Sequence, residues 1–276
     1  MNGGQSLGLC WGSVPGADLL QMAESAAIAS LSPLAVTPGQ VHGALKSGLT
    51  PSGLRRRLAD LGVRVSVIDP LNRPVPGAPR PIEVDPRLRQ LFEWTAEDCW
   101  RAAEAVEAEI INMTCFQGRP LPNEQLFDGL RKLAAANAAE GFDSTIEFIP
   151  GTGIPDLRAA ARLVERVDRF RVMFDTWHFA RSNGQLADVA RLPLGTIGGV
   201  QLNDWAQPLV GTSYVPMSGR LVPGDGQLPL AEILSAIEEN SPGLDVCIEV
   251  FNEALERADR TQAVLAMARA SSRLLA

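Results

Sequence analysis

The sequence predicts an α/β protein folded as a (β/α)8 TIM barrel. Three observations carry that prediction. Short apolar, β-branched runs alternate with longer helix-like segments, eight of each, and strands that are apolar on both faces belong in a parallel sheet covered by helices. Eight such units in 276 residues match the usual size of this barrel. No GxGxxG turn follows the first strand, which argues against a dinucleotide-binding, doubly wound sheet. An open doubly wound sheet remains the alternative, because periodicity alone does not show closure. No compositional break or low-complexity linker interrupts residues 1–276, so the chain reads as one domain.

Taken in order, the expected strands are SLGLCWG (6–12), AIASLSP (27–33), VRVSVIDP (63–70), EIINMTC (109–115), STIEFIP (144–150), RVMFDTW (171–177), GGVQLND (198–204) and LDVCIEVF (244–251). The expected helices span 17–26, 51–61, 96–107, 123–140, 154–167, 184–191, 229–240 and 255–274. Thr95, followed by Glu97 and Asp98, marks a helix start; Gly62 and Gly141 stand just past helix ends. Two connections are long: 70–94 after the third strand and 203–227 after the seventh. Both leave the C-terminal end of a strand, where barrel enzymes build their sites, so both are candidate lids.

A net charge of −7 supplies no basic footprint for nucleic acid or an anionic membrane. The amino-terminal residues lack the basic and apolar regions of a signal peptide, and no apolar run reaches the length of a membrane span. The four cysteines, Cys10, Cys99, Cys115 and Cys247, form no CxxC pair, and three lie in apolar strand-like runs. A reducing, cytoplasmic setting is expected. The two lysines, Lys46 and Lys132, end no strand, which argues against Schiff-base chemistry. The two histidines, His42 and His178, are too few for a three-histidine zinc site.

The last four strands share one feature. Glu147, Asp175, Gln201 and Glu249 each place an oxygen-bearing side chain within or at the end of an apolar strand. Burying a carboxylate there is costly unless it is paired or coordinated. In a barrel the four would converge near the C-terminal mouth. Three carboxylates and an amide oxygen make a hard, oxygen-rich cage for Mg²⁺ or Mn²⁺. Pairing with a buried arginine is the alternative, although strands five, seven and eight contain none.

The segments IEFIP, MFDTWHFARSNG, VQLNDW, GRLVPGDGQLPL and CIEVFN, in this order, resemble the xylose isomerase-like barrels of the sugar phosphate isomerase/epimerase family. The resemblance covers most of the chain. It implies metal ligands at Glu147, Asp175, the strand-seven residue and Glu249, with His178 contacting substrate close to the metal. The strand-seven ligand in that family is usually histidine. Gln201 departs from this and resembles the branch containing 3-dehydroshikimate dehydratases. The superfamily's abasic-DNA endonucleases need a histidine-rich metal cluster and a basic face, and both are missing.

The shared chemistry of the family is proton abstraction beside a metal-held carbonyl. Glu147 and Glu249 form the expected acid/base pair of an isomerase or epimerase acting on a sugar or sugar derivative. Alternatively His178 moves the proton and the reaction is a dehydration of a polyhydroxy carbonyl compound. A non-catalytic, metabolite-binding barrel is the third reading. Arg220 is the expected anion or hydroxyl contact. Trp11, Phe116 and Trp177 are candidate pocket walls, and His42 a further candidate substrate contact. Asp204 and Glu253 are polar neighbours without an assigned role. The expected cofactor is a divalent metal (Mn²⁺ or Mg²⁺) with no nucleotide cofactor, and the expected partner is a small sugar-like substrate rather than nucleic acid or membrane. Assembly as a homo-oligomer stays open.

Overall fold

A computed structural model describes residues 5–207 and 217–275. Eight parallel strands, β1 (Ser6–Cys10), β2 (Leu34–Val36), β3 (Val65–Leu71), β4 (Ile110–Thr114), β5 (Asp143–Glu147), β6 (Phe170–Asp175), β7 (Ile197–Leu202) and β8 (Asp245–Ile248), follow one another around a closed barrel. Closure is made by β1 against β8, with Gly8 opposite Cys247 and Leu9 opposite Ile248. Helices connect successive strands on the outside.

Strand alternation divides the apolar residues between two compartments. Leu9, Ile68, Ile111, Ile146, Val172, Phe174, Val200 and Ile248 join the large cluster between barrel and helices. Cys10, Ala35, Val67, Met173 and Cys247 form a small cluster of their own, on the alternate, inward-facing positions. Two residues further along the same inward rows stand Asp69, Asp175 and Glu249. The inner face therefore changes from apolar to acidic within one pleat, at the C-terminal end of the strands. A ladder of hydrogen bonds joins this level around the barrel. Thr145 Oγ1 donates to Asn112 Oδ1 (2.8 Å), and Asn112 Nδ2 donates to Asp69 Oδ1 (2.6 Å).

The outer helices carry the expected punctuation. α1 (Leu19–Ile28) is capped by Asp18 and α3 (Pro51–Asp60) by Thr50; α4 (Ala96–Val106) starts in a reciprocal box between Thr95 and Asp98. Gly62 and Gly141 take positive φ (69° and 96°) after α3 and α5 (Asn123–Ala139), the conformation that ends a helix at little cost only for glycine.

Three expectations need correction. The second strand is not 27–33 but the three residues Leu34–Val36. Ala27 and Ile28 complete α1, and Ser30 turns the chain with φ of 57°. An alanine-rich run favours helix, and a three-residue strand is too short to show alternation. The helix α2 (Pro38–Lys46), unpredicted, fills the connection that follows; its signal was legible as Thr37-Pro38 with Gln40 at the third helical position, a capping box. The expected 255–274 helix is two helices, α10 (Glu253–Glu256) and α11 (Arg260–Ser272), because Asp259 accepts from Gln262 N and starts a new one. The remaining helices are α6 (Leu157–Val164), α7 (Thr176–Arg181), α8 (Leu186–Ala190) and α9 (Leu230–Asn240).

The connection 70–94 folds as a cap. Val84, Leu91 and Phe92 form a separate apolar cluster against Trp11, Phe116 and Met217. Of the connection 203–227, residues 208–216 lie outside the described residues. No helix among the described residues is long and apolar enough to cross a membrane.

Gly8 tests barrel closure. A Cβ there would sit 2.1 Å from the Pro33 carbonyl oxygen, a backbone atom that cannot swing away, whereas one on Gly43 in α2 would meet nothing within 4 Å. Gly8→Ala is expected to lose about 1–3 kcal/mol of stability. Gly43→Ala is expected to be neutral or to gain up to about 1 kcal/mol. Urea unfolding of the two variants checks both.

Candidate active site

The opening of α7 explains why Asp175 is followed three residues later by a histidine. Asp175 ends β6 and also caps α7: its Oδ1 accepts from the backbone N–H of Trp177 (2.8 Å) and of His178 (3.0 Å). Asn203 Nδ2 donates to the same oxygen at 3.2 Å. Capping thus aims Oδ2 elsewhere and fixes His178 one turn along. The His178 Nε2 then lies 3.0 Å from Glu147 Oε1, at the end of β5. Glu147, Asp175 and His178 bring ligand-type atoms within 4.8 Å of one another, all buried.

Arg220 occupies the middle of the site. Its Nη1 contacts Asp175 Oδ2 at 2.8 Å and donates to Glu249 Oε2; its Nη2 lies 3.4 Å from His178 Nε2. The guanidinium stacks 4.8 Å from the Phe251 ring centroid and 5.4 Å from that of Trp177. Strand sequences contained no such arginine; it arrives from the connection after β7. Asp204 organises that connection. Its Oδ2 accepts from the N–H groups of Gly224 (2.9 Å) and Gly226 (3.0 Å), and its Oδ1 from Leu228 N (3.1 Å). A Cβ on Gly226 would come 2.2 Å from Asp204 Oδ1, so the PGDG turn needs glycine there. Asn252 Nδ2 holds the Arg220 carbonyl at 3.0 Å.

A second cluster joins from β1, β3 and β8. The Cys10 thiol donates to Glu249 Oε1 (2.9 Å), and Gln201 Nε2 donates to the same oxygen (3.1 Å). Asp69, on β3, accepts from Trp11 Nε1 at 2.9 Å as well as from Asn112. The sequence showed Asp69 only as a carboxylate in a VIDP run; that its strand also ends at the barrel mouth is what brings it in.

Burial and mutual repulsion set the protonation of these groups. Burial, then the charges of Asp175 and Asp69, push Glu147 well above the usual carboxylate range. Burial does the same to Glu249 against the pull of Arg220, with Glu147 and Asp69 adding to it. Burial also raises Asp69, although the hydrogen bonds from Asn112 and Trp11 work against it. Asp175 alone is held low: burial acts against its charge, but Arg220 and the donors on Oδ1 outweigh it. Burial and the neighbouring Glu249 keep the Cys10 thiol protonated.

A divalent metal fits this donor set. Four buried carboxylates face one guanidinium, an excess of negative charge that burial penalises heavily. Gln201 is 2% exposed, and its Oε1 has no hydrogen-bond partner; Asp175 Oδ2 likewise accepts no well-formed hydrogen bond and meets only Arg220. An orphaned amide oxygen beside carboxylates is a hard-metal donor lacking an acceptor of its lone pairs. Ligand-type atoms close enough to share an ion fall in two buried groups, Glu147 with Asp175 and His178, and Cys10 with Asp69 and Glu249, so the expected set is divided between them, with Gln201 reaching Glu249.

A cavity opens at the mouth of the barrel. Trp11, Phe116, Trp177, His178 and Arg220 all line it, together with Leu91, Met217 and Phe251. Trp11 meets Phe251 edge-on at 5.2 Å. His42 is not among the lining residues: it sits on α2, stacks on Trp94 at 5.1 Å and contacts the Asp98 carbonyl at 3.0 Å. Glu253 is exposed at the start of α10.

Burial, assisted by the charges of Arg220 and Arg181, lowers the His178 pKa to about 4, with Asp175 opposing. In the unfolded chain it would titrate near the ordinary value of about 6.5. Between those values the unfolded chain holds the extra proton, so this residue costs stability as pH falls from about 6.5 to about 4, and no more below that. Nitrogen NMR at pH 5.5 should show His178 as a neutral ring; a charged ring at that pH contradicts the assignment.

Known structures share this architecture. An IolI protein with a bound zinc atom is 14% identical over 98% of each chain, with a TM-score of 0.80. D-psicose 3-epimerase, solved in the presence of D-fructose, is 16% identical over 98% of each chain, with a TM-score of 0.71. The probable 3-DHS dehydratase AsbF of Bacillus anthracis is 12% identical over 97% of this chain and 98% of its own, with a TM-score of 0.71. At such identities the likeness concerns the fold. No curated protein matches the chain in sequence. The profile of one family does match it, across residues 34–271, from the second strand to the last helix: the chain belongs to the xylose isomerase-like TIM barrel family.

Proposed function

We propose that the protein is a divalent-metal-dependent isomerase or epimerase that moves a proton next to the carbonyl of a sugar or sugar derivative. One observation carries the proposal. Glu147 and Glu249, three strands apart on the barrel, both line the same cavity, and both are pushed well above the usual carboxylate range. Carboxyl groups tuned upward can hold or accept a proton near neutral pH, as general acid/base work requires. With the substrate between them, one carboxylate takes a proton from carbon and the other returns one. His178, neutral and 3.0 Å from Glu147, steadies that carboxyl's proton. Arg220 orients Glu249 and Asp175, and the Trp11, Phe116 and Trp177 walls exclude water. A divalent ion held by these carboxylates would supply Lewis-acid polarisation of the carbonyl. The epimerase among the similar folds supports this reading, as does the zinc bound by another.

Gln201 favours one alternative, a lyase that expels a β-hydroxyl as water, and the dehydratase among the similar folds supports it. His178 would then protonate the departing hydroxyl.

Turnover with added Mn²⁺ or Mg²⁺ tests the proposal. Glu147→Gln and Glu249→Gln should each lower kcat by about 10²–10⁴-fold without unfolding the barrel, and chelator should abolish activity in the native chain. Deuterium from solvent should enter recovered substrate with no new ultraviolet band. A conjugated-enone absorbance would assign the lyase instead. Absence of bound metal, with activity indifferent to chelator, would leave the metal-dependent reading without support.

A further inference from the structure

From the seam where the barrel closes, we infer that Ser13 is a positioning residue for Glu249, its hydroxyl standing in for strand that β1 no longer supplies. The inference rests on the reading of Glu249 as a working carboxyl of the site given above, and adds what aims it.

β8 ends at Ile248, one residue short of Glu249. On one side Glu249 is still held by the ladder, its N–H donating to the Leu202 carbonyl of β7 at 2.9 Å. On the other side the pairing with β1 stops at Leu9 opposite Ile248. There β1 gives way to one tight turn, Trp11–Ser13. Successive residues of a strand turn their N–H and C=O to opposite sides, so the groups facing β1 beside Glu249 are the Ile248 carbonyl and the Val250 N–H. In a parallel ladder one residue of the partner strand takes both such groups. The Ser13 hydroxyl does so instead: it donates to the Ile248 carbonyl at 2.9 Å and accepts from the Val250 N–H at 2.8 Å. A hydroxyl is donor and acceptor at once, so one side chain reproduces the contacts of a paired residue. Ser13 is 2% exposed, which leaves water little access to either bond.

The turn that delivers this hydroxyl is specified residue by residue. Trp11 is tied to β3 through its indole N–H on Asp69 at 2.9 Å. Gly12 lies beneath Phe251, where a Cβ would meet the ring at 2.5 Å, so the backbone passes under that ring only as glycine. Ser13 is thereby set against the backbone on both sides of Glu249. The carboxyl end is fixed separately, Oε1 accepting from the Cys10 thiol (2.9 Å) and from Gln201 Nε2 (3.1 Å). Without the Ser13 hydroxyl the chain at 248–250 keeps its hold on β7 and loses the one from Ser13. An acid/base or ligand group displaced by about 1 Å loses much of its effect.

Four variants of the full chain test the inference. Ser13→Ala removes the hydroxyl, and Ser13→Thr and Ser13→Val form a pair of like volume that differs by it. Ser25→Ala removes a similarly buried hydroxyl from α1, outside the barrel. In crystals of Ser13→Ala the Glu249 carboxyl should move by more than about 0.5 Å and leave the Cys10 thiol. Isothermal titration with Mn²⁺ should show affinity about 10-fold weaker than native in Ser13→Ala and Ser13→Val, close to native in Ser13→Thr, and unchanged in Ser25→Ala. Equal losses in Ser13→Thr and Ser13→Val assign the effect to packing and overturn the inference. A Glu249 carboxyl that stays in place in Ser13→Ala overturns it as well. Should Ser13→Ala not fold, Ser13→Thr and Ser13→Val carry the same comparison. Failure of the functional reading looks different. A native chain that binds Mn²⁺ but moves no solvent deuterium into any sugar sinks the proposed enzyme, and the variants still decide Ser13. A native chain that binds no Mn²⁺ sinks the metal reading, and the position of the Glu249 carboxyl in crystals decides Ser13 alone.

Discussion

The burial of Arg220 among Asp175, Glu249 and Glu147 is the interaction on which the mouth of this barrel depends. Carboxylates at the ends of inward-facing rows would repel one another if left alone, and the low-dielectric interior would magnify that repulsion. One guanidinium, delivered by the connection after β7 and stacked between Phe251 and Trp177, lets Asp175 keep its charge. It does not neutralise the set. Burial first, and the neighbouring carboxylates after it, raise Glu147 and Glu249. Structure and proposed chemistry share one cause: more acid than the protein's own cations can satisfy.

The supporting parts hold that arginine in place. Asp204 gathers the backbone N–H groups of Gly224, Gly226 and Leu228 and so folds the turn that follows Arg220. Asn252 ties the Arg220 backbone to the end of β8. Asp175 does double duty, capping α7 with one oxygen and meeting Arg220 with the other. Across the mouth, Asp69 and Asn112 continue the polar level around the barrel and hold the Trp11 indole by its N–H. Asp204, left without a role by the sequence, is thus an orienting residue. Asp204 is not among the described lining residues, yet it pairs with Leu221 beside Arg220.

Much of this was legible in the residues. Strands one and three to eight fall where the apolar runs stand, because a β-branched run buried on both faces has few other solutions. Glu147, Asp175, Gln201 and Glu249 were found by a single anomaly, an oxygen-bearing side chain at the end of each of four successive strands. The second strand was not legible, since three residues cannot express a period and the alanines before it belong to a helix. His42 could not be placed either: a histidine after strand two points to the mouth or to a neighbouring helix depending on helix phase, and in α2 it faces Trp94 and α4.

Local chemistry, by itself, determined the alternation of strand and helix, the caps, and which side chains would be expensive to bury. Those properties depend on neighbours a few residues apart. Only closure of the barrel decided that Cys10 meets Glu249 across 239 positions and that Asp69 joins the same level. Likewise only the tertiary fold brought Arg220 from a loop into the gap between Asp175 and Glu249. Charge balance in a site is a sum over groups distant in the chain. No window of sequence contains that sum until the strands that carry it have closed into a ring.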